Sequence, residues 1–579
     1  MSVHELPRFG EFEYIRPDLA ELEKEFRAAL GEFTAAGSLQ DAKLALLRID
    51  SIRAQVMTAA NICHIRYTIN TKDPFYSAEK AWGDEHYPAV EAWRTDYYRA
   101  LLASPYRQKL EDEFGPQFFR IAKLSLETFQ PKILPLLQQE NKLSSEYVQL
   151  KAAAEIELDG ETFNLSNIFT EETAPERHKR QKATEAKWAW YAGKGKELDR
   201  IFDELVTCRT TAAQELGFDN FIELGYARML RTDYGQEKVA QFREQIRLHI
   251  VPLATRLYEK QRERLGQKEL LYFDEAYRFP DGNPKPQGEP NWIIEQARQM
   301  YDQLAPETKS FFRMLQNRQL MDVVAKEGKA TGGYCTYIHG YGAPFIFSNF
   351  NGTSGDIDVL THEFGHAFQV YSSRRLQPME YNWPTYEACE IHSMSMEFFT
   401  YPWMANFFGS DTEKYYFSHL AGAIRFLPYG VAVDEFQHRV YADPNLDSNQ
   451  RHAIWKELEA KYLPHRQYAG NEFLEKGAFW SKQNHIYTSP FYYIDYCLAQ
   501  ICAFQFWLRD QKDHSSAWAD YLKLCKAGGS GSFLELVKLA GLESPFTEGV
   551  VEKMAIAVSD QLFSHSNPVA EEAWASILS

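Results

Sequence analysis

His362-Glu363-Phe364-Gly365-His366 constrains this chain more than any other stretch. Two histidines four residues apart share a face in a helix, one turn from each other. The flanking residues agree with a helix. Ile357, Leu360, Phe364, Ala367 and Phe368 recur as apolar packing positions, and Thr353, Ser354 and Asp356 offer capping side chains at its start. Two imidazoles on one face can hold one metal ion, and Glu363 stands beside them as a proton acceptor. A motif this short also arises by chance, so the test is whether a third ligand follows at a workable distance.

The wider chain narrows the field. Its 579 residues are ample for a large core in two sub-domains or one large helical body. A net charge of −17 argues against nucleic acid or an anionic membrane as the main partner. Seven cysteines are scattered, with no Cys-x-x-Cys pair, which fits a reducing compartment and a cytoplasmic location. Met1-Ser2-Val3-His4-Glu5-Leu6-Pro7 carries no signal-peptide pattern. The apolar run Tyr496–Leu508 is too short to span a bilayer and reads as a buried helix.

From Asp18 to about Gln139, apolar residues such as Leu19, Leu22, Phe26 and Leu30 recur at helical spacing, which predicts a packed bundle with His64 and His86 in structural roles. Alternation around Asp159-Gly160 predicts a β-hairpin. The charged run Glu176–Lys182 reads as the solvated face of a helix, and more helices continue to a stop near Gly266. Residues 281–290 are the clearest loop, a surface connection or a flap. Residues 334–338 and 345–350 predict paired strands just before the His-Glu-x-x-His helix, a platform on which an extended peptide can add as another strand. Gly528-Gly529-Ser530-Gly531 lacks the Lys-Ser/Thr ending of a phosphate loop and reads as a helix-to-helix connection.

No third histidine follows His366 closely; residues 369 and 372 are Gln and Ser. The next helix, starting near Asn382-Trp383-Pro384, carries Glu387, Glu390 and Glu397, with His392 between them. Glu390 and Glu397 share a face, and Glu390 comes 24 residues after His366, enough for a turn and a return helix. Two His and one Glu form an open catalytic zinc set.

Thr361–Phe368 and Glu390–Glu397 together resemble the thimet oligopeptidase and oligoendopeptidase F family, in its bacterial oligoendopeptidase F and Pz-peptidase branch. Gly328–Tyr334 and His485–Tyr496 extend the likeness, which covers roughly residues 320–545; the amino-terminal half shares only helical character. The resemblance implies one zinc per chain on His362, His366 and Glu390, with Glu363 as general base and His485 and Tyr496 as donors to the developing oxyanion. The chain departs from the thimet branch in having Thr488-Ser489-Pro490-Phe491 where that branch has a glycine-rich loop, which leaves open whether Tyr492 or Tyr493 adds a hydroxyl; Tyr492 is the candidate carried forward. Glu397, Glu387 and Asp358 are candidates to orient the ligand imidazoles, and Asp358 is equally explained as charge at a helix start.

The expected fold is mainly α: a large helical two-part body with a small antiparallel sheet beside the zinc helix, enclosing a substrate channel. The expected division is a helical region 1–180 and a catalytic region 181–579, with core motifs in 328–500. The expected activity is zinc-dependent endopeptidase cleavage of short unfolded peptides, with no nucleic-acid or membrane partner. Two alternatives stand beside it: a zinc aminopeptidase, and a non-catalytic helical peptide-binding protein.

Overall fold

The apolar stripes in the first third of the chain fold into helices α1 (Leu19–Thr34), α2 (Leu39–Ile69), α3 (Val90–Ala103) and α4 (Pro116–Glu127). A computed structural model describes residues 6–564, so the first five residues of the amino-terminal stretch read above lie outside the described residues. Asp18 caps α1 by accepting from the Ala20 and Glu21 amides, and Ser38 caps α2 by accepting from Asp41. Phe26, Phe33, Leu46, Ile49, Trp93, Tyr97 and Phe118 form a core of their own, separate from the main one. Tyr381, far along the chain, belongs to it. Its hydroxyl accepts the Phe118 amide at 2.9 Å and donates to the Phe114 carbonyl at 2.7 Å.

The predicted hairpin forms as β1 (Ile156–Leu158) and β2 (Glu161–Phe163), turning on Asp159 and Gly160, both at positive φ. Helix α5 (Arg177–Leu216) follows. Its charged start is not wholly solvated: Arg180 is buried and pairs with the buried Asp274 at 3.0 Å. The 281–290 loop is tied down by backbone and side chain, with the Gln287 amide donating to the Phe407 carbonyl at 2.9 Å, and it is not a free flap.

The sheet beside the motif has strands β3 (Met321–Val324), β4 (Tyr334–Ile338) and β5 (Ala343–Phe350), in the order β3-β5-β4. The expected antiparallel pair is β4 with β5, registered from Tyr334↔Phe347 to Ile338↔Ala343. The sheet is nonetheless mixed, because β3 joins β5 in parallel. Buried Lys329 ties the two together: its ammonium shares its three N–H groups among the carbonyls of Asp322, Val324 and Ser348 and the Asp322 carboxylate, fastening both strands. Strand β4 is left as an edge.

The motif helix is α6 (Gly355–Ser373). Neither Thr353 nor Ser354 caps it. Asp356 instead turns its carboxylate back onto the Asn351 and Gly352 amides at 2.9 and 2.8 Å, closing the loop that leads in. Helix α7 (Tyr386–Phe399) begins two residues after Pro384 rather than with it. A Cβ on Gly365 would lie 2.6 Å from the His392 carbonyl oxygen and 2.7 Å from Ser393 Cα. Only glycine allows α6 and α7 to approach this closely. Helices α8 (Thr412–Ala442), α9 (Tyr493–Asp510) and α10 (His514–Ala527) complete the surround, and α9 is the buried helix expected of the apolar run. Gly528 and Gly529 follow α10 as a connection, with the Gly529 amide donating to the Tyr381 carbonyl at 3.0 Å. No helix among the described residues is long and apolar enough to cross a membrane.

Candidate metal centre and active site

Helices α6 and α7 bring His362, His366 and Glu390 together. The Nε2 atoms of both histidines face one oxygen of Glu390, Oε2, at 3.2 and 3.3 Å. These separations match the edge of a tetrahedron with donors roughly 2.0 Å from its centre, the bond length of N and O ligands to zinc. Burial alone would raise the Glu390 pKa. The two imidazoles outweigh it and hold the carboxyl well below its usual range, so an ionised carboxylate faces two ring nitrogens. That donor set fits a divalent metal ion.

The surroundings fix each donor. Nδ1 of His362 bonds Glu397 Oε1 at 2.7 Å, which turns Nε2 toward Glu390. Glu397 Oε2 accepts from His419 Nε2 at 2.7 Å, and His419 Nδ1 meets the Tyr401 hydroxyl at 2.7 Å. Of the three acids considered as orienting groups, Glu397 holds that place. Asp358 accepts the Tyr415 hydroxyl instead, and Glu387 lies in the field of Arg231 and Asp233. Ser393 donates to Glu390 Oε2 at 2.8 Å, and Tyr492 donates to Glu390 Oε1 in a short contact. His392 is not part of this donor group; it is fully buried, its ring centroid 6.1 Å from that of Tyr521.

Glu363 is buried beside the donors, and its Oε2 has no hydrogen-bond partner. Burial raises its pKa, and the two imidazoles restrain the rise. Gly333 gives it room: a Cβ there would lie 3.2 Å from Glu363 Oε1. Across the site, burial lowers His485 to about 4, so its ring is neutral at pH 7. Tyr429 donates to Gln483 Oε1, and the Gln483 amide nitrogen meets His485 Nδ1, both at 2.8 Å. The ring proton therefore sits on Nε2, which faces the Tyr496 oxygen at 3.3 Å and leaves the Tyr496 hydroxyl proton free to donate elsewhere.

These groups sit in a cleft of about 740 Å³. The amino-terminal bundle lines it with Arg53, Asn61, Arg94 and Tyr98, and the rest of the chain with the candidate metal donors, residues 333–337 at the β4 edge, Tyr492 and Tyr496; Asn61 Nδ2 joins the two sets by donating to the Tyr337 carbonyl at 2.8 Å. Tyr493 does not line this cleft. Sequence reasoning missed His419, Tyr401, Ser393 and Gln483. Ser393 lies within the Glu390–Glu397 stretch without a role legible there, the other three belong to no motif, and their contacts appear only when α7, α8 and the turns at Tyr401 and Gln483 pack together.

Residues 9–129 match the Peptidase M3 N-terminal domain, and residues 172–556 match Peptidase family M3. The solved structure of Pz peptidase A with an inhibitor superposes with a TM-score of 0.96 at 53% identity, covering 97% of this chain and 100% of the other. An oligoendopeptidase F from Enterococcus faecium, at 16% identity, shares the fold with a TM-score of 0.64, covering 96% of this chain and 98% of the other. Among curated proteins, oligopeptidase PepF of Bacillus subtilis (strain 168) is 24% identical over 302 residues, 49% of this chain and 43% of that protein. The chain spans about half the length of the curated relatives it matches. On both family matches and the end-to-end likeness to Pz peptidase A, the chain belongs to peptidase family M3, in its oligoendopeptidase F branch.

Proposed function

We propose that the chain is a zinc-dependent endopeptidase that cuts short unfolded peptides inside the cleft. The observation that carries this reading is the unpartnered, buried carboxylate oxygen of Glu363 beside the His362–His366–Glu390 donor set. Zinc bound there would supply Lewis acidity, polarising the scissile carbonyl and acidifying water to a pKa of roughly 7. The chain's own residues do the rest. The edge of β4 before Tyr337, whose carbonyl already accepts from Asn61, pairs with an extended peptide and holds its carbonyl over the site. Glu363 takes the proton of the attacking water and returns it to the leaving amine. Tyr496 donates to the developing oxyanion while His485 Nε2–H holds the Tyr496 oxygen. Tyr492, engaged with Glu390, keeps that ligand in place. Glu397 and His419 keep the His362 ring turned to its task. On this reading residues 1–180 supply a wall and residues 181–579 the chemistry. Seven unpaired cysteines support action in a reducing compartment.

The test uses amino-terminally blocked peptides of about ten residues, with a native globular protein alongside. We expect internal cuts in the peptides and no digestion of the folded protein. An absolute need for a free amino terminus would convert the reading to an aminopeptidase. Binding without any cleavage would convert it to a peptide-binding protein.

The two tyrosines should separate in kinetics. Tyr496→Phe removes an oxyanion donor, so kcat should fall by about 10²- to 10³-fold with KM little changed. Tyr492→Phe loosens Glu390, so its main effect should be weaker metal binding, of about 10- to 100-fold, seen by competition with a chelator. If Tyr492→Phe loses kcat at full metal content while Tyr496→Phe is silent, the two roles are exchanged.

A further inference from the structure

Beyond the metal donors, the same helices line a second cavity of about 380 Å³. On α6 the stripe of His366 and His362 continues backwards, at four-residue steps, to Asp358 and Ser354. On α7 the cavity wall continues from Glu390 to Met394 and Glu397, and on α9 from Tyr496 to Gln500. His485 and Tyr496 border both spaces. The second cavity thus prolongs the cleft by one to two turns past His362, roughly 6–12 Å along α6.

Its far wall holds Arg278. Nη1 of Arg278 donates to the Ser418 carbonyl at 2.8 Å, Nε is buried without an acceptor, and no carboxylate among the described residues lies within ion-pairing distance. Arg264 and Arg425, which sense its charge, likewise form no ion pair among the described residues. Burial first, and then the neighbouring guanidinium charges, lower Arg425 to about 9 and Arg264 to about 10. Arg278 is half-buried and feels the Asp358 carboxylate across the cavity, but no carboxylate among the described residues touches its guanidinium. The acids bordering this cavity already have partners: Asp358 accepts from Tyr415, and Glu397 is held between His362 and His419.

Strand direction gives the cavity its place on a substrate. Gly333, leading into β4, packs on Val359 and Glu363; Tyr337, near its end, senses Arg374 and Tyr371 at the end of α6. Strand β4 therefore runs the same way as α6. A peptide added antiparallel to β4 directs its carboxyl-terminal half toward Asp358 and Ser354.

We propose that this second cavity receives the carboxyl-terminal side of the bound peptide and that Arg278 pairs there with a peptide carboxylate. The carboxylate is either the free terminus or an acidic side chain. At about 3.4 Å per extended residue, it lies two to three residues past the cut bond. The proposal rests on the endopeptidase reading above.

The experiment compares matched, amino-terminally blocked peptides on the zinc-loaded protein. One pair differs only in a carboxylate or an amide at the terminus. A second pair, both amidated, carries Glu or Gln at the second or third residue past the cut. We expect one pair to show at least about a 10-fold higher kcat/KM for its carboxylate member, and that pair identifies the source. The ratio should collapse toward one in Arg278→Gln and persist in part in Arg278→Lys. Equal kcat/KM within both pairs on the unmodified protein overturns the proposal, and so does a preference for Lys at that position. The comparison on the unmodified protein needs no variant to fold. If no peptide is cut, the endopeptidase reading fails, and calorimetric binding of the same pairs decides the Arg278 proposal separately: a carboxylate preference sustains it, and equal affinity overturns it.

Discussion

Glu363→Gln should keep its metal and bind peptide nearly as tightly as the unmodified chain, yet hydrolyse peptides at least about 10²-fold more slowly. The substitution preserves size and shape but removes a group able to accept a proton at neutral pH. Nothing in the structure asks Glu363 to hold another side chain in place: its Oε2 has no partner, and its surroundings are the two ligand imidazoles and the space over Gly333. The loss should therefore fall on kcat. Metal analysis, calorimetry with a blocked peptide, and single-turnover rates check the three parts separately. Wild-type turnover at full metal content would remove Glu363 from the chemistry.

Glu390→Ala should cost more, because it acts on binding of the ion itself. Two imidazoles remain, the Tyr492 hydroxyl loses its acceptor, and the Ser393 hydroxyl keeps only the backbone carbonyl of residue 390. Metal affinity should drop by more than about 100-fold, beyond the usual effect of an outer partner such as Glu397, and hydrolysis should fall with it. Metal content after dialysis, together with a melting curve to show that the helices persist, checks the expectation. Full metal retention with unchanged activity would take Glu390 out of the ligand set.

The parts of the site that sequence revealed are those set by spacing within one element. Four-residue spacing fixed the common face of His362 and His366 before any packing was known. Spacing also made Glu390 and Glu397 neighbours on one face, but it could not say which would face both Nε2 atoms and which would take Nδ1 of His362. Asp358 illustrates the limit. One turn before His362, it has the right phase to orient the imidazole, yet α8 presents Tyr415 to it and its carboxylate turns there. His419 and Arg278 lie in segments without a motif, and their roles arise only where distant elements meet. The parallel strand β3 was illegible for another reason: four residues are too few to carry a periodicity, and nothing in the Gly328–Tyr334 stretch tells that Lys329 is buried and fastens it.

Tyr381 gives the chain a mechanical property. The segment joining α6 to α7 leaves the metal-bearing half and plugs into the amino-terminal bundle, where Tyr381 is gripped at Phe114 and Phe118, the Met379 amide meets Asp50, and Glu380 pairs with Arg53. Helices α6 and α7, which carry the candidate metal donors, are thus both anchored in the amino-terminal bundle through one short strap. A movement that widened the cleft would load two attachments at once: this strap, and the bonds from α2 to β4, where Asn61 Nδ2 donates to the Tyr337 carbonyl at 2.8 Å and Thr68 meets the Tyr334 hydroxyl at 2.6 Å. The amino-terminal bundle is therefore no detachable cover: it is fastened both to the connection between α6 and α7 and to the strand that borders the cleft.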